Sequence, residues 1–247
     1  MPEFYLILGK IPTRIHDRTS TLPQTQLKIN EMFETIQGEG VQTGVPSVFV
    51  RLQGCPVGCP WCDTKHTWTL DEAFLTTADA VLNKTQESEA FFACADEELL
   101  SLFAERGYNA RHVVITGGEP CMYDLTPITS LLHARGYTTQ IETSGTYEVL
   151  CHVDTWVTVS PKVDMKGGMP VLTSALKRAN EIKHPVAMQK HVDDLDELLS
   201  RLEGDLPEHI CLQPISQQQR ATDLAIVTCI ARNWRLSLQT HKYIGIE

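Results

Sequence analysis

The chain has no apolar run near the ~20 residues that carry a helix across a bilayer, so no membrane-spanning helix is expected. It is short of cations: 21 Lys and Arg stand against 31 Asp and Glu, a formal charge of −10. An extended nucleic-acid face needs clustered Lys and Arg, and none is expected here. A small anionic substrate held by one or two local cations stays open. There is no low-complexity tract, and no repeat beyond an alternation of short and helix-length segments. Met1 to Lys10 carries Glu3 early and only a short apolar run at Tyr5 to Leu8, which is not a signal-peptide pattern. The eight cysteines lack the spacing of a disulfide scaffold, and a reducing, cytoplasmic compartment suits them better.

Three of those cysteines carry the chemistry. Cys55, Cys59 and Cys62 fall within eight residues as C-x3-C-x2-C, and no fourth cysteine lies near them. Clustered thiolates favour zinc or iron–sulfur over hard cations. Three of them hold three corners of a [4Fe–4S] cubane and leave one iron without a protein ligand, the open position that reactive metal sites keep. The competing reading is a structural zinc knot with His66 as fourth ligand. The other five cysteines, Cys94, Cys121, Cys151, Cys211 and Cys229, are scattered and read as small buried apolar residues.

Residues 1–28 mix Pro, Thr, Gln and both charges without a period, and read as a poorly ordered extension ahead of a single domain over 29–247. Strands are predicted at Ile29–Ile36 and Ser47–Leu52, then at Val113–Thr116, Thr138–Glu142, Trp156–Val159, Pro185–Met188, Ile210–Leu212 and Arg235–Leu238. Helices are predicted at Leu125–Ala134, Val171–Glu181, Asp194–Leu202 and Thr222–Ala231. The stretch 71–111 reads as an insertion with helices at Ala73–Asn83 and Asp96–Arg106. This alternation predicts an α/β fold with a parallel sheet closed fully or partly into a (β/α) barrel. Seven polar motifs follow seven strands, and parallel strands would bring them to one mouth, where barrel enzymes assemble their sites.

The cysteine loop and Gly117-Gly118-Glu119-Pro120 resemble the radical S-adenosylmethionine superfamily. Thr35-Ile36-Gln37-Gly38-Glu39-Gly40, Arg51-Leu52-Gln53-Gly54-Cys55, Cys62-Asp63-Thr64, Glu142-Thr143-Ser144-Gly145 and Ser160-Pro161-Lys162, in that order, resemble the 7-carboxy-7-deazaguanine synthase family of queuosine biosynthesis. The likeness runs from Ile29 to about Tyr243. It implies a partial barrel of the radical enzyme type, with S-adenosylmethionine chelated at the open iron and reductively split to a 5′-deoxyadenosyl radical. It further implies contraction of 6-carboxy-5,6,7,8-tetrahydropterin to 7-carboxy-7-deazaguanine with loss of ammonia. Magnesium at the substrate carboxylate, a homodimer, and a flavodoxin- or ferredoxin-type electron donor belong to the same implication. No nucleic-acid or membrane partner does.

Carried over by residue, Cys55, Cys59 and Cys62 hold iron. Trp61, Cys62, Asp63, Gly118, Glu119, Ser160, Pro161, Lys162, Gln213, Pro214, Ile215 and Ser216 contact S-adenosylmethionine, Glu119 through its ammonium group. Ile36, Gln37, Gly38, Glu39, Arg51, Thr116 and His241 contact substrate, and Thr64 gives a hydroxyl oxygen to Mg2+. Arg51 has a competing reading as a structural ion pair, and His241 as a satisfied histidine near the end of the resemblance. His112, His133, His152 and His184 are placed on helices or edges without a catalytic part. An activase that takes hydrogen from a protein glycine would share the cluster and the Gly-Gly-Glu-Pro turn, but has no use for Gln37-Gly38-Glu39 or Thr64.

Overall fold

The computed structural model describes residues 26–204, 206–215 and 218–246. The expected extension therefore lies outside the described residues up to position 25. Its last two residues, Leu27 and Lys28, already belong to the first strand. That strand, β1 (Leu27–Ile36), pairs antiparallel with β2 (Pro46–Leu52), Ile29 opposite Leu52 and Ile36 opposite Pro46. From β2 onward each neighbour is parallel: β4 (His112–Gly117), β5 (Thr138–Thr143), β6 (Trp156–Val159), β7 (Glu181–Val186), β8 (His209–Pro214) and β9 (Arg235–Leu236). On its other side β1 carries a short antiparallel strand, β3 (Phe92–Cys94).

The order across the sheet is β3-β1-β2-β4-β5-β6-β7-β8-β9, so β3 and β9 are edges and the barrel is partial. The gap between those edges is crossed by the segment after β1. Gly40 donates its N–H to Ser237 Oγ (2.9 Å), Val41 to Glu181 Oε2 (3.2 Å), and Thr240 returns an N–H to Gly38 O (2.9 Å). Backbone polar groups are thus satisfied where no strand pairs, as burial requires.

Successive strand residues point to opposite faces, and here the two faces differ in chemistry. Outward residues Ile141, Val157, Val159, Ile182 and Leu212 are fully buried in the apolar clusters. Those clusters lie under α3 (Thr126–Ala134), α5 (Gln189–Ser200) and α6 (Gln219–Arg232), which supply Leu132, Leu195 and Ala225. Inward residues Gln140, Glu142, Thr158, Glu181 and Lys183 are polar and bond one another. A short α4 (Thr173–Arg178) joins β6 to β7, and α7 (Thr240–Ile244) follows β9.

The polar inward face explains one misplaced element. A strand was expected at Pro185–Met188, yet β7 runs Glu181–Val186, because alternate Glu181, Lys183 and Pro185 hide its apolar half, and the expected helix at 171–181 stops at Arg178. The stretch 71–111 is only partly helical. A single 3-10 turn at Glu72–Phe74 and α1 (Ala78–Leu82), capped by Thr77 Oγ1 on Ala80 N–H (3.3 Å), stand where one helix was expected. Between α1 and α2 (Asp96–Glu105) lies β3, so this stretch widens the sheet rather than standing outside it. Among the described residues no helix is long and apolar enough to cross a membrane.

Phe103 of α2 is 1% exposed and sits at 6.0–6.1 Å between the rings of Tyr108 and Tyr137. Phe103→Ala is expected to cost about 3–5 kcal/mol through lost transfer energy and an unfilled cavity. Chemical denaturation checks this, and a loss below about 1 kcal/mol would place Phe103 outside the packed core.

Candidate active site

The cysteine loop begins where β2 ends and is closed at its base by backbone pairing. Gly54 N–H donates to Thr67 O (2.7 Å) and Cys55 N–H to Trp68 O (3.0 Å). Buried Gln53 braces it, its Nε2 donating to Thr69 O (2.6 Å) and His66 O (3.2 Å). Gly167 N–H donates to Val57 O (3.0 Å) from the loop after β6, and a Cβ at Gly167 would run into Pro56 O. Within the loop Cys62 Sγ accepts from Thr64 N–H and Trp68 Nε1–H, both at 3.4 Å.

Cys55, Cys59 and Cys62 line one cavity of about 320 Å³, and no other cysteine does among the described residues. Burial pushes the Cys55 thiol up to about 11. It raises Cys59 as well, the nearby Lys162 ammonium opposing it. Burial thus favours the neutral thiols, and because a metal takes thiolates, metal binding and proton release are linked. Three thiols lining one cavity would hold a [4Fe–4S] cluster and supply its thiolate ligands. His66 speaks against the zinc-knot reading: its ring pairs with Glu31 (Nε2, 3.5 Å) and Glu87 (Nδ1, 3.4 Å), and it does not line the cavity that the three cysteines share.

Across the cavity the backbone of β4 runs on into Gly117-Gly118-Glu119. Gly118 N–H donates to Leu52 O and Glu119 N–H to Gly54 O, both at 2.8 Å, so this turn is joined to the cysteine loop. A Cβ at Gly118 would run into Gly54 O, and one at Gly117, whose φ is +106°, into the backbone of Arg51 and Leu52. Both glycines are needed for the contact between the two loops. Glu119 is 1% exposed, and its carboxylate is filled from within. Oε1 accepts from Cys121 N–H (3.0 Å) and Thr143 Oγ1 (2.6 Å), and Oε2 from Ser144 N–H (2.8 Å) and the Ser144 hydroxyl. Four donors saturate a carboxylate. A further ammonium reaches Glu119 only by displacing one of them, and the geometry makes this residue a clamp between the β4 and β5 turns.

The floor is polar and comes from an unexpected side. Since β1 is antiparallel to β2, Gln37-Gly38-Glu39 lies at the opposite end of the sheet from the cysteine loop, so the expectation that all seven motifs share one mouth is corrected. Their side chains reach the cavity from beneath. Gln37 Nε2 stands 3.3 Å from Gln140 Oε1 and 3.4 Å from Glu142 Oε1. Glu39 accepts from Gln239 Nε2 (2.8 Å) and from Lys183 Nζ (2.6 Å), which also reaches Glu142 Oε2 (2.7 Å). For Glu39, burial pushes upward but Lys183 outweighs it, leaving the carboxyl at about 2. For Glu142, burial dominates over Lys183 and the Glu39 charge adds to it, lifting it to about 7. His241 packs on Gly38 and is lowered by burial, against the pull of Glu39.

Arg51 forms the ion pair of its competing reading, at the side of the cavity. Its Nε lies 3.0 Å from Glu31 Oε2, and its guanidinium covers the Phe33 ring (5.3 Å), itself stacked on Phe49, while the side chain still lines the cavity. Thr64 Oγ1 stands 3.3 Å from Gly117 O at the cavity wall, and exposed Asp63 pairs with Lys242 (3.6 Å). Lys162 Nζ donates to Ser160 Oγ (2.5 Å). Ile36, Trp61, Thr116, Gln213, Pro214 and Ile215 also line the cavity. Pro161 instead lines a smaller neighbouring cavity, and Ser216 lies outside the described residues. His112 is corrected as well: it sits buried in central strand β4, bonded to Thr138 (2.8 Å) and Gln140 (3.0 Å).

The chain is 60% identical over 221 residues to a curated 7-carboxy-7-deazaguanine synthase of Escherichia coli K12, across 90% of this chain and 99% of that one. The chain belongs to the 7-carboxy-7-deazaguanine synthase family. A Buchnera aphidicola member of the family is 44% identical over 89% of this chain and 98% of its own length. The crystal structure of QueE from Escherichia coli superposes with a TM-score of 0.85, at 60% identity, covering 87% of this chain and 95% of that one. Residues 36–170 match the 4Fe-4S single cluster domain family. Within this synthase family member, sequence reasoning missed Lys183, and it treated Glu142 only as part of a turn motif. Polar residues alternating with buried Ile182 and Val186 are the signal that marks an inward face.

Two predictions follow from these charges. A Gln at position 119 cannot accept from all four donors, so Glu119→Gln is expected to lose about 1–3 kcal/mol in a denaturation curve; an unchanged midpoint would deny the clamp. Glu142 rises from 4.5 to about 7 on folding, so its contribution is present below pH 4.5 and lost as pH climbs to 7. Glu39, lowered to about 2, works oppositely, its contribution lost as pH falls below 4.5. Glu142→Gln is therefore expected to flatten the stability profile between pH 4.5 and 7, and a profile keeping its slope there would refute the assignment.

Proposed function

We propose that this protein catalyses the radical ring contraction of 6-carboxy-5,6,7,8-tetrahydropterin to 7-carboxy-7-deazaguanine in queuosine biosynthesis. The single observation that carries the reading is one cavity with three thiols on its wall, donors and carboxylates on its floor, and a guanidinium at its side. A tetrahydropterin carboxylate has the matching polarity, with amide and amino donors at one edge and an anion at the other. Substrate equals product plus ammonia, so the reaction needs no net oxidant.

When bound, the [4Fe–4S] cluster and S-adenosylmethionine supply hydrogen-atom abstraction. The chain's own residues position the rest. Cys55, Cys59 and Cys62 hold the irons. Gly118, Ser160, Lys162, Gln213, Pro214 and Ile215 with Trp61, Cys62 and Asp63 form the wall toward S-adenosylmethionine; Pro161 and Ser216 belong to the same set, and Glu119 joins it where the ammonium group displaces one of its four donors. Gln37, Gly38 and Glu39 meet the aminopyrimidinone edge, with Ile36, Thr116 and His241 around the ring. Arg51, fixed at Nε by Glu31, turns the rest of its guanidinium to the substrate carboxylate. Thr64 would offer its hydroxyl oxygen to Mg2+, which would neutralise the substrate carboxylate there. A homodimer in the cytoplasm, reduced by a flavodoxin- or ferredoxin-type donor, completes the proposal.

Reduced, anaerobic protein given the carboxytetrahydropterin, S-adenosylmethionine and Mg2+ is expected to form the deazaguanine. Cleavage of S-adenosylmethionine without that product would favour a different radical enzyme, such as an activase. Cys59→Ala is expected to lose iron and turnover together. Thr64→Ala is expected to keep its iron while the Mg2+ requirement rises about tenfold, equivalent to ~1.4 kcal/mol; unchanged activity at low Mg2+ would remove Thr64 from the metal site.

A further inference from the structure

Lys183 is a buried ammonium in the cavity floor that no motif announces. Its side chain is 5% exposed, and its Nζ bridges Glu39 Oε2 (2.6 Å) and Glu142 Oε2 (2.7 Å). The outer oxygens have donors of their own: Gln239 Nε2 on Glu39 Oε1 (2.8 Å), and Gln140 Nε2 on Glu142 Oε1 (2.9 Å). Each carboxylate is therefore held at both ends, so neither can rotate freely. Carboxylate oxygens accept two hydrogen bonds each, and both oxygens of Glu39 keep a place for a substrate donor.

Two carboxylates this near in a buried site repel, and without a cation between them one takes up a proton. A protonated Glu39 would present a hydroxyl where the substrate offers an N–H, donor against donor. An ammonium bridging both keeps Glu39 the ionised partner, leaving Glu142 as the carboxyl that is raised, and also fixes their separation.

We propose that Lys183 is a positioning residue for substrate recognition, holding Glu39 ionised and aimed at the amide N–H and amino group of a 2-aminopyrimidinone ring. The proposal rests on the substrate reading above and deepens it. It also assigns selectivity: a ring with a 2-oxo group would set a carbonyl against the Glu39 carboxylate and be rejected, because polar groups built to be paired would be left unpaired.

The test uses reconstituted holoprotein carrying Lys183→Met or Lys183→Arg. Iron content and substrate-free cleavage of S-adenosylmethionine report on the cofactor wall and are expected to stay as in the parent. In Lys183→Met, KM for the carboxytetrahydropterin is expected to rise at least about tenfold with kcat within about threefold, a 1.4 kcal/mol loss of binding. The acidic limb of kcat/KM is expected to move to higher pH, as a carboxylate deprived of its cation demands. Arginine keeps the charge but not the single-point bridge, and an intermediate KM is expected.

A parental KM and pH profile in both variants would overturn the proposal and leave Lys183 a buried counter-charge. Should the Met variant fail to fold, the Arg variant decides alone, since an unchanged KM there has the same meaning. Equilibrium titration with pterin-6-carboxylate separates this proposal from the substrate reading. If the parent binds this probe at least about tenfold more tightly than Lys183→Met and more tightly than the 2-oxo analogue, Lys183 acts as proposed whatever the turnover. Equal binding to parent and variant overturns it.

Discussion

Two backbone hydrogen bonds beyond the paired ends of β2 and β4 hold the site together. Leu52 O and Gly54 O accept from Gly118 and Glu119, so the cysteine loop and the Gly-Gly-Glu turn continue the sheet ladder past its last residues. That contact exists only because neither glycine has a side chain to keep the chains apart. Glu119 then ties the same turn to Thr143 and Ser144, so three successive strand ends move as one body. A site that must keep an iron and a substrate carbon in register needs this kind of rigidity, and gains it from backbone rather than from long side chains.

The cavity is also divided by charge. Sulfur and the Lys162 ammonium occupy the wall near β6. Carboxylates bridged by Lys183 make the floor, and Arg51 backed by Glu31 stands at the side. Low-dielectric surroundings make each of these charges count more than it would in water, in either direction. A floor of carboxylates therefore favours a donor and penalises a misplaced acceptor.

The parallel half of the fold was legible because its strands are short apolar runs set between amphipathic helices: Trp156–Val159 was placed to the residue and Val113–Thr116 to within one. β7 was not, because Glu181 and Lys183 face inward and mimic a helix surface. β3 was hidden by its length of three residues. At the site, motif residues with unusual chemistry, thiols and paired glycines, declared themselves. Lys183 did not, since its meaning comes from Glu39, which lies 144 positions away. The antiparallel turn of β1 was equally invisible, because a strand's direction leaves no mark on its own residues.

The floor segment is fastened by contacts that join the two ends of the domain. Gly40 meets Ser237 and Gly38 meets Thr240 across separations of 197 and 202 residues. The β2–β4 contact at the cysteine loop spans far fewer. During synthesis the cysteine wall, whose last brace is Gly167 after β6, can thus form before β7 to β9 are made, whereas the floor waits for nearly the last turn of chain. A nascent chain would then carry its three cysteines on a formed wall while the base of the cavity is still open.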